Sequence, residues 1–197
     1  MPMPSAYETR SEAFFRLYEG ETPQEIQTLL TRWIPKGSRV LELGCGSGRD
    51  ARFMSGLDAI VEATDGSGPL LKLAEARAQA LLGAESPSFS LLCLPPDKGS
   101  EDALFARLPR FDAVYTCGVL QHLSDHELYE GACFMERAVT DKGTLIVVVP
   151  LDHKGDPDRK TFLRDSLDYA TLFERMGFRL ASQEIRDGVG SPGHECR

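Results

Sequence analysis

Apolar positions change their period near Arg39. Before it they keep helical spacing. Phe14, Phe15, Leu17 and Tyr18 stand in a charged stretch that begins at Glu8, and Ile26, Leu29, Leu30 and Trp33 follow. This pattern predicts two helices. The second opens with Thr22 as N-cap, Pro23 at N1 and Glu25 at N3, and stops at Pro35-Lys36-Gly37. Beyond Arg39, short apolar runs alternate with helical patterns. They predict strands at 39–43, 60–64, 88–93, 111–117, 144–149 and 178–184, with helices at 49–56, 68–82, 101–107, 125–139 and 166–176. The run Leu145-Ile146-Val147-Val148-Val149 lacks alternation, which suits a parallel strand covered on both faces. Regular alternation of strand and helix means an α/β sheet with right-handed crossovers.

A length of 197 residues fits one domain with a small appendage. The 42% hydrophobic and 8% aromatic shares are those of a globular protein, which excludes disorder, collagen and coiled coil. No apolar run reaches the roughly 20 residues of a bilayer helix. The opening MPMPSAYETR lacks a secretory core, so no membrane association is expected. A net charge of −8 argues against a nucleic-acid partner. The five cysteines (45, 93, 117, 133 and 196) are odd in number and have no C-x-x-C spacing. They read as free thiols in a reducing cytoplasm, with no metal.

The chemistry concentrates where the first strand ends, in Val40-Leu41-Glu42-Leu43-Gly44-Cys45-Gly46-Ser47-Gly48-Arg49-Asp50. A strand runs through alternating glycines into a helix, so a ligand can approach the main chain. A phosphate-binding loop would need Gly-Lys-Ser/Thr, and a dinucleotide loop would need glycine where Arg49 stands. Glu42 repels a pyrophosphate and favours a cationic ligand such as S-adenosylmethionine. Asp65, at the end of the second strand, can accept both hydroxyls of a ribose.

Taken in order, VLELGCGSGRD, VEATDGSGPLL, FDAVYTCGVLQHL and GTLIVVVP resemble the class I S-adenosylmethionine-dependent methyltransferases of the small-molecule type, from about Arg39 to Ile185. The resemblance implies a Rossmann-like, mostly parallel sheet of seven strands with helices on both faces and a helical lid at the N-terminus. It implies that Glu42 and the backbone of Gly44, Cys45 and Gly46 hold the methionine part of the cofactor. Asp65 holds the ribose, Gly66 is a further cofactor contact, Leu94 meets the adenine, and Cys117 and Tyr7 flank the cofactor. The chain stops at Arg197, where a seventh strand should begin, so that strand is expected to be missing. The parts are then a helical lid at 1–37, a cofactor domain at 38–186 and an incomplete tail at 187–197.

An acceptor would lie beyond the carboxyl ends of the strands. His122 stands there as candidate base, just before a helix opened by a Ser124/Glu127 capping box. Tyr18, Asp152 and His153 are candidate acceptor contacts. His122 and His126 are four apart, but no third metal ligand accompanies them. The expected activity is methyl transfer to a small molecule. The alternatives are a non-catalytic S-adenosylmethionine-binding sensor or partner subunit and, further off, an NAD-dependent oxidoreductase.

Overall fold

A computed structural model describes residues 6–20, 24–151 and 160–185. Strands β1 (Arg39–Leu43), β2 (Ile60–Asp65), β3 (Ser88–Leu91), β4 (Phe111–Cys117) and β5 (Val139–Val148) form one sheet in the order β3-β2-β1-β4-β5. Every pairing is parallel. The helices are α1 (Ala6–Thr9), α2 (Ser11–Glu19), α3 (Gln24–Trp33), α4 (Arg49–Gly56), α5 (Gly68–Leu82), α6 (Lys98–Arg107), α7 (Asp125–Ala138) and α8 (Ser166–Arg175). No helix among the described residues is long and apolar enough to cross a membrane.

Successive strand residues point to opposite faces, and each face builds its own core. Val40, Val61, Ala113, Tyr115 and Ile146 face Ile26, Leu30, Ile34, Met54 and Leu71, from α3, the segment after it, α4 and α5. Leu41, Leu43 and Val114 face Leu104, Leu128, Phe134, Met135 and Phe173 of α6, α7 and α8. From β1 the chain builds outward through β2 and β3, then crosses back to place β4 on the other side of β1. The carboxyl ends of β1 and β4 therefore flank the crevice where such sheets bind ligands.

The hydrophobic pattern locates β1 and β4 at their observed bounds. The predicted N-terminal helix is broken at Arg10 into α1 and α2. Thr22 and Pro23, read as the start of α3, lie outside the described residues. β5 begins at Val139 rather than Thr144, because Val139 pairs with Phe111 before the register shifts and Thr144 faces Ala113.

The strand predicted at 178–184 does not form among the described residues. Phe178 is drawn against Phe173 at the end of α8, edge to face at 6.0 Å. Farther along, Glu184 reaches Arg32 of α3 at 3.4 Å, while Leu180 and Ile185 stay exposed. A strand exists only when its N–H and C=O groups meet a partner strand, and this segment has none among the described residues. The seven strands implied by the resemblance are thus five among the described residues. The tail at 187–197 lies outside them.

Candidate functional site

After Leu43 the chain turns through Gly44, Gly46 and Gly48, at φ values of 74°, 56° and 71°. The N–H groups of Gly44 and Cys45 both donate to the Thr64 carbonyl at 2.8 Å, tying the turn to the end of β2. At Gly44 a side chain has no room, since a Cβ would lie 2.2 Å from Val119 Cγ2. At Gly46 a Cβ would stand 3.1 Å from the edge of the Tyr18 ring. Gly44→Ala is expected to cost about 3 kcal/mol of stability, combining left-handed strain with overpacking against a stiff valine. Urea unfolding checks it. Adding Val119→Ala should recover the packing part and leave the strain. A Gly44→Ala protein with the wild-type midpoint would refute this account of the turn.

Asp65 closes the second strand. Its Oδ2 accepts the Gly46 N–H at 2.9 Å and its Oδ1 accepts the Ser67 N–H at 2.8 Å. Burial pushes the carboxyl up, and the N–H groups of Ser67, Gly46 and Gly66 oppose that push. Ser67 caps α5 by accepting the Leu70 N–H, and its hydroxyl donates to the Tyr7 carbonyl at 3.1 Å.

Glu42 is 3% exposed, and its Oε2 is buried without a hydrogen-bond partner. Burial first, then the nearby Asp50 carboxylate, holds this carboxyl well above the usual range. Asp50 is itself buried, accepting from Tyr115 Oη at 2.7 Å and from Arg49 Nε at 2.9 Å. Asp65 adds to this push on Glu42, while Arg49 and Arg52 oppose it. An orphaned carboxyl oxygen in such a place fits a cationic group, whose charge favours the ionised carboxylate, and rejects a pyrophosphate.

Burial holds the thiols of Cys45 and Cys117 protonated, which disfavours the reactive thiolate. Burial and then Glu42 push the Cys45 thiol well up. Burial and then Asp50 push Cys117 up to about 12. Leu94 packs toward Gly131 of α7 and is part-buried on that core. Exposed Cys93, which the sequence analysis did not single out, has its Sγ 3.4 Å from where a Cβ of Gly66 would stand.

Past β4, a short turn at Leu120–His122 leads into α7, opened by the expected Ser124/Glu127 box. His122 Nδ1 lies 2.8 Å from the Lys160 carbonyl oxygen. A carbonyl only accepts, so Nδ1 carries the hydrogen, and in the neutral ring the lone pair is on Nε2. That nitrogen faces two donors, Tyr7 Oη at 3.1 Å and Gln121 Nε2 at 3.3 Å. Tyr7 belongs to an aromatic ladder, 4.7 Å from Phe14, which lies 6.0 Å from Tyr18. The ladder spans the edge from His122 to Gly46.

His126 turns away to Glu130, and the described residues hold no cluster of three metal-ligating side chains. Asp152 and His153 lie outside the described residues. A groove of about 750 Å³ runs along α6 beside Phe105, Leu108 and Arg137, but no residue lining it belongs to this edge.

Arg49 carries more than the sequence suggested. There it only spoils a dinucleotide motif. In the structure it grips Asp50 and donates Nη1 to the Tyr18 carbonyl at 3.2 Å. Its position directly after the third glycine was the available signal.

A family model described as a methyltransferase domain matches residues 41–145. A ubiquinone biosynthesis O-methyltransferase of Thiobacillus denitrificans is 32% identical over 114 residues, covering 55% of this chain and 46% of that protein. The chain thus spans about half the length of that curated relative. Among solved structures, one from the complex of a methyltransferase with a Haloferax volcanii methyltransferase activator superposes with a TM-score of 0.75 at 17% identity, covering 92% of this chain and 80% of that one. Magnesium protoporphyrin IX methyltransferase from Synechocystis, solved with bound S-adenosylmethionine, gives 0.64 at 20% identity, covering 87% and 74%. These two likenesses bear on the fold, and the matched family model covers the glycine turn, Asp65 and His122. The chain belongs to the class I S-adenosylmethionine-dependent methyltransferases.

Proposed function

We propose that this protein transfers a methyl group from S-adenosylmethionine to a small-molecule acceptor bearing an O–H or N–H group. The observation that carries this reading is the buried, unpartnered Oε2 of Glu42 beneath the glycine turn. It suits the ammonium of the methionine part, with Gly44, Cys45 and Gly46 contributing backbone. Asp65 and Gly66 serve the ribose, with Cys93 and Leu94 near the base. Cys117 lines the crevice, and Tyr7 and Tyr18 roof it. Residues 1–37 act as the cover of a catalytic unit at 38–186, working in the reducing cytoplasm.

When bound, S-adenosylmethionine supplies a methyl group already activated on a sulfonium sulfur. The chain's own residues align the acceptor, exclude water and take up a proton. His122 Nε2 serves as the base, with the Tyr7 hydroxyl 3.1 Å away. The O-methyltransferase relative supports a hydroxyl acceptor.

The test is transfer of labelled methyl from S-adenosylmethionine to a panel of phenols, hydroxy acids and small amines. The expected result is a labelled, methylated small molecule with stoichiometric S-adenosylhomocysteine. Tight cofactor binding with no transfer to any acceptor class would instead make the protein a cofactor sensor.

A further inference from the structure

Glu19, the last residue of α2, lies between two arginines. Its Oε1 accepts from Arg52 Nη2 at 2.6 Å, and its Oε2 is 3.4 Å from Arg77 Nε. The inner pair is largely withdrawn from water, with side chains 18% exposed for Glu19 and 11% for Arg52. Exposed pairs such as Arg16–Glu12, at 80% and 75%, contribute little. Arg52 also reaches the glycine turn, where its Nη1 donates to the Ser47 carbonyl at 2.9 Å. The Arg49 bond to the Tyr18 carbonyl lands on the same last turn of α2. There the backbone acceptors lack helical partners and the helix dipole is negative. Three arginines from α4 and α5 therefore converge on one helix end, and Arg52 binds that end and the glycine turn at once. The arrangement presses Tyr18 over Gly46 and sets the register of the ladder that ends at Tyr7 and His122.

We infer that Glu19 is a positioning residue that, through Arg52, couples the seating of α2 to the shape of the glycine turn and so sets cofactor affinity and exchange. The inference rests on reading that turn as the S-adenosylmethionine site. Glu19 itself touches no cofactor. Coupling is reciprocal, so a ligand that stabilises the turn also stabilises the seated helix. A neutral amide at position 19 keeps the shape and loses the charge that draws both arginines.

The test titrates the wild type, Glu19→Gln and Glu19→Asp with S-adenosylmethionine and S-adenosylhomocysteine by calorimetry. Hydrogen exchange of the amides of residues 6–20 is followed with and without S-adenosylhomocysteine. Glu19→Gln is expected to weaken both ligands about tenfold and to raise the cofactor KM more than it lowers kcat. Its α2 amides should exchange faster and lose the protection that ligand confers in the wild type. Glu19→Asp should fall between the two. A lowered melting temperature with unchanged affinity and unchanged ligand-induced protection would make Glu19 merely structural and overturn the inference. If Glu19→Gln does not fold, Arg77→Gln removes the outer arm and should weaken binding by a smaller factor; unchanged affinity there would also overturn it. A wild type that binds neither ligand would instead sink the reading of the site itself.

Discussion

Replacing Asp65 with alanine is expected to weaken S-adenosylmethionine and S-adenosylhomocysteine binding by about 100-fold or more. The figure follows from two lost charge-assisted hydrogen bonds to a ribose, each contributing roughly 1.5–3 kcal/mol. An ionised carboxylate offers about four acceptor positions. Gly46 takes one on Oδ2 and Ser67 one on Oδ1, and the Gly66 N–H also faces the carboxylate; what remains is open to the ribose diol. Alanine also frees the Gly46 N–H and loosens the turn that carries the methionine part, so the two losses compound. Asp65→Asn should not rescue binding. Its one acceptor oxygen cannot serve both N–H groups, and its NH₂ would face a donor. Calorimetry on protein shown to be folded by its melting curve decides the matter. An Asp65→Ala protein that binds within about threefold of the wild type would show that this carboxylate only staples the turn.

The glycine turn was legible because its requirement is local. A positive φ at Gly44 and Gly46 is written into residue type, and an acid two positions earlier changes which ligand such a turn accepts. β1 and β4 were legible because they are buried and uninterrupted. The segment at 178–184 offers only Phe178, Leu180 and Ala181 among polar residues, and strand formation depends on a neighbour that such a pattern cannot reveal. The site's long-range contacts were out of reach for a similar reason. Tyr7 and His122 are 115 positions apart, and Glu19 and Arg52 are 33 apart. The pattern placed Arg52 on a helix and His122 just before one, but Tyr7 and Glu19 fell just outside the helix read over 8–18, and no spacing rule joins the pairs. Asp65 shows a subtler limit. Its position suggested only a ligand role, while its bond to Gly46 explains why an acid belongs there even before a ligand binds.

His122→Asn is expected to lower kcat by about 10²–10⁴-fold on an acceptor that must lose a proton, the range of a positioned general base. Asparagine is the informative replacement. Its amide N–H can donate to the Lys160 carbonyl in place of Nδ1–H, which keeps the segment from Lys160 seated. What it cannot do is titrate. In the wild type, Nδ1 is committed to that carbonyl and Nε2 lies within reach of Tyr7 and Gln121, and a general base must be neutral to take the proton. The wild-type rate should therefore fall on the acid side, as the ring gains its proton. The His122→Asn profile should lose that limb, with cofactor affinity unchanged. Tyr7→Phe separates a relay from a direct transfer. If the Tyr7 hydroxyl carries the proton, its loss should cost nearly as much as the loss of His122. If the acceptor reaches Nε2 itself, the phenylalanine variant should keep most of the rate. Acceptors that need no base, such as a thiolate, should ignore both substitutions. A His122→Asn enzyme that methylates a phenol at the wild-type rate, with the wild-type pH profile, would remove His122 from the chemistry and leave it as the pin between α1 and the turn after β4.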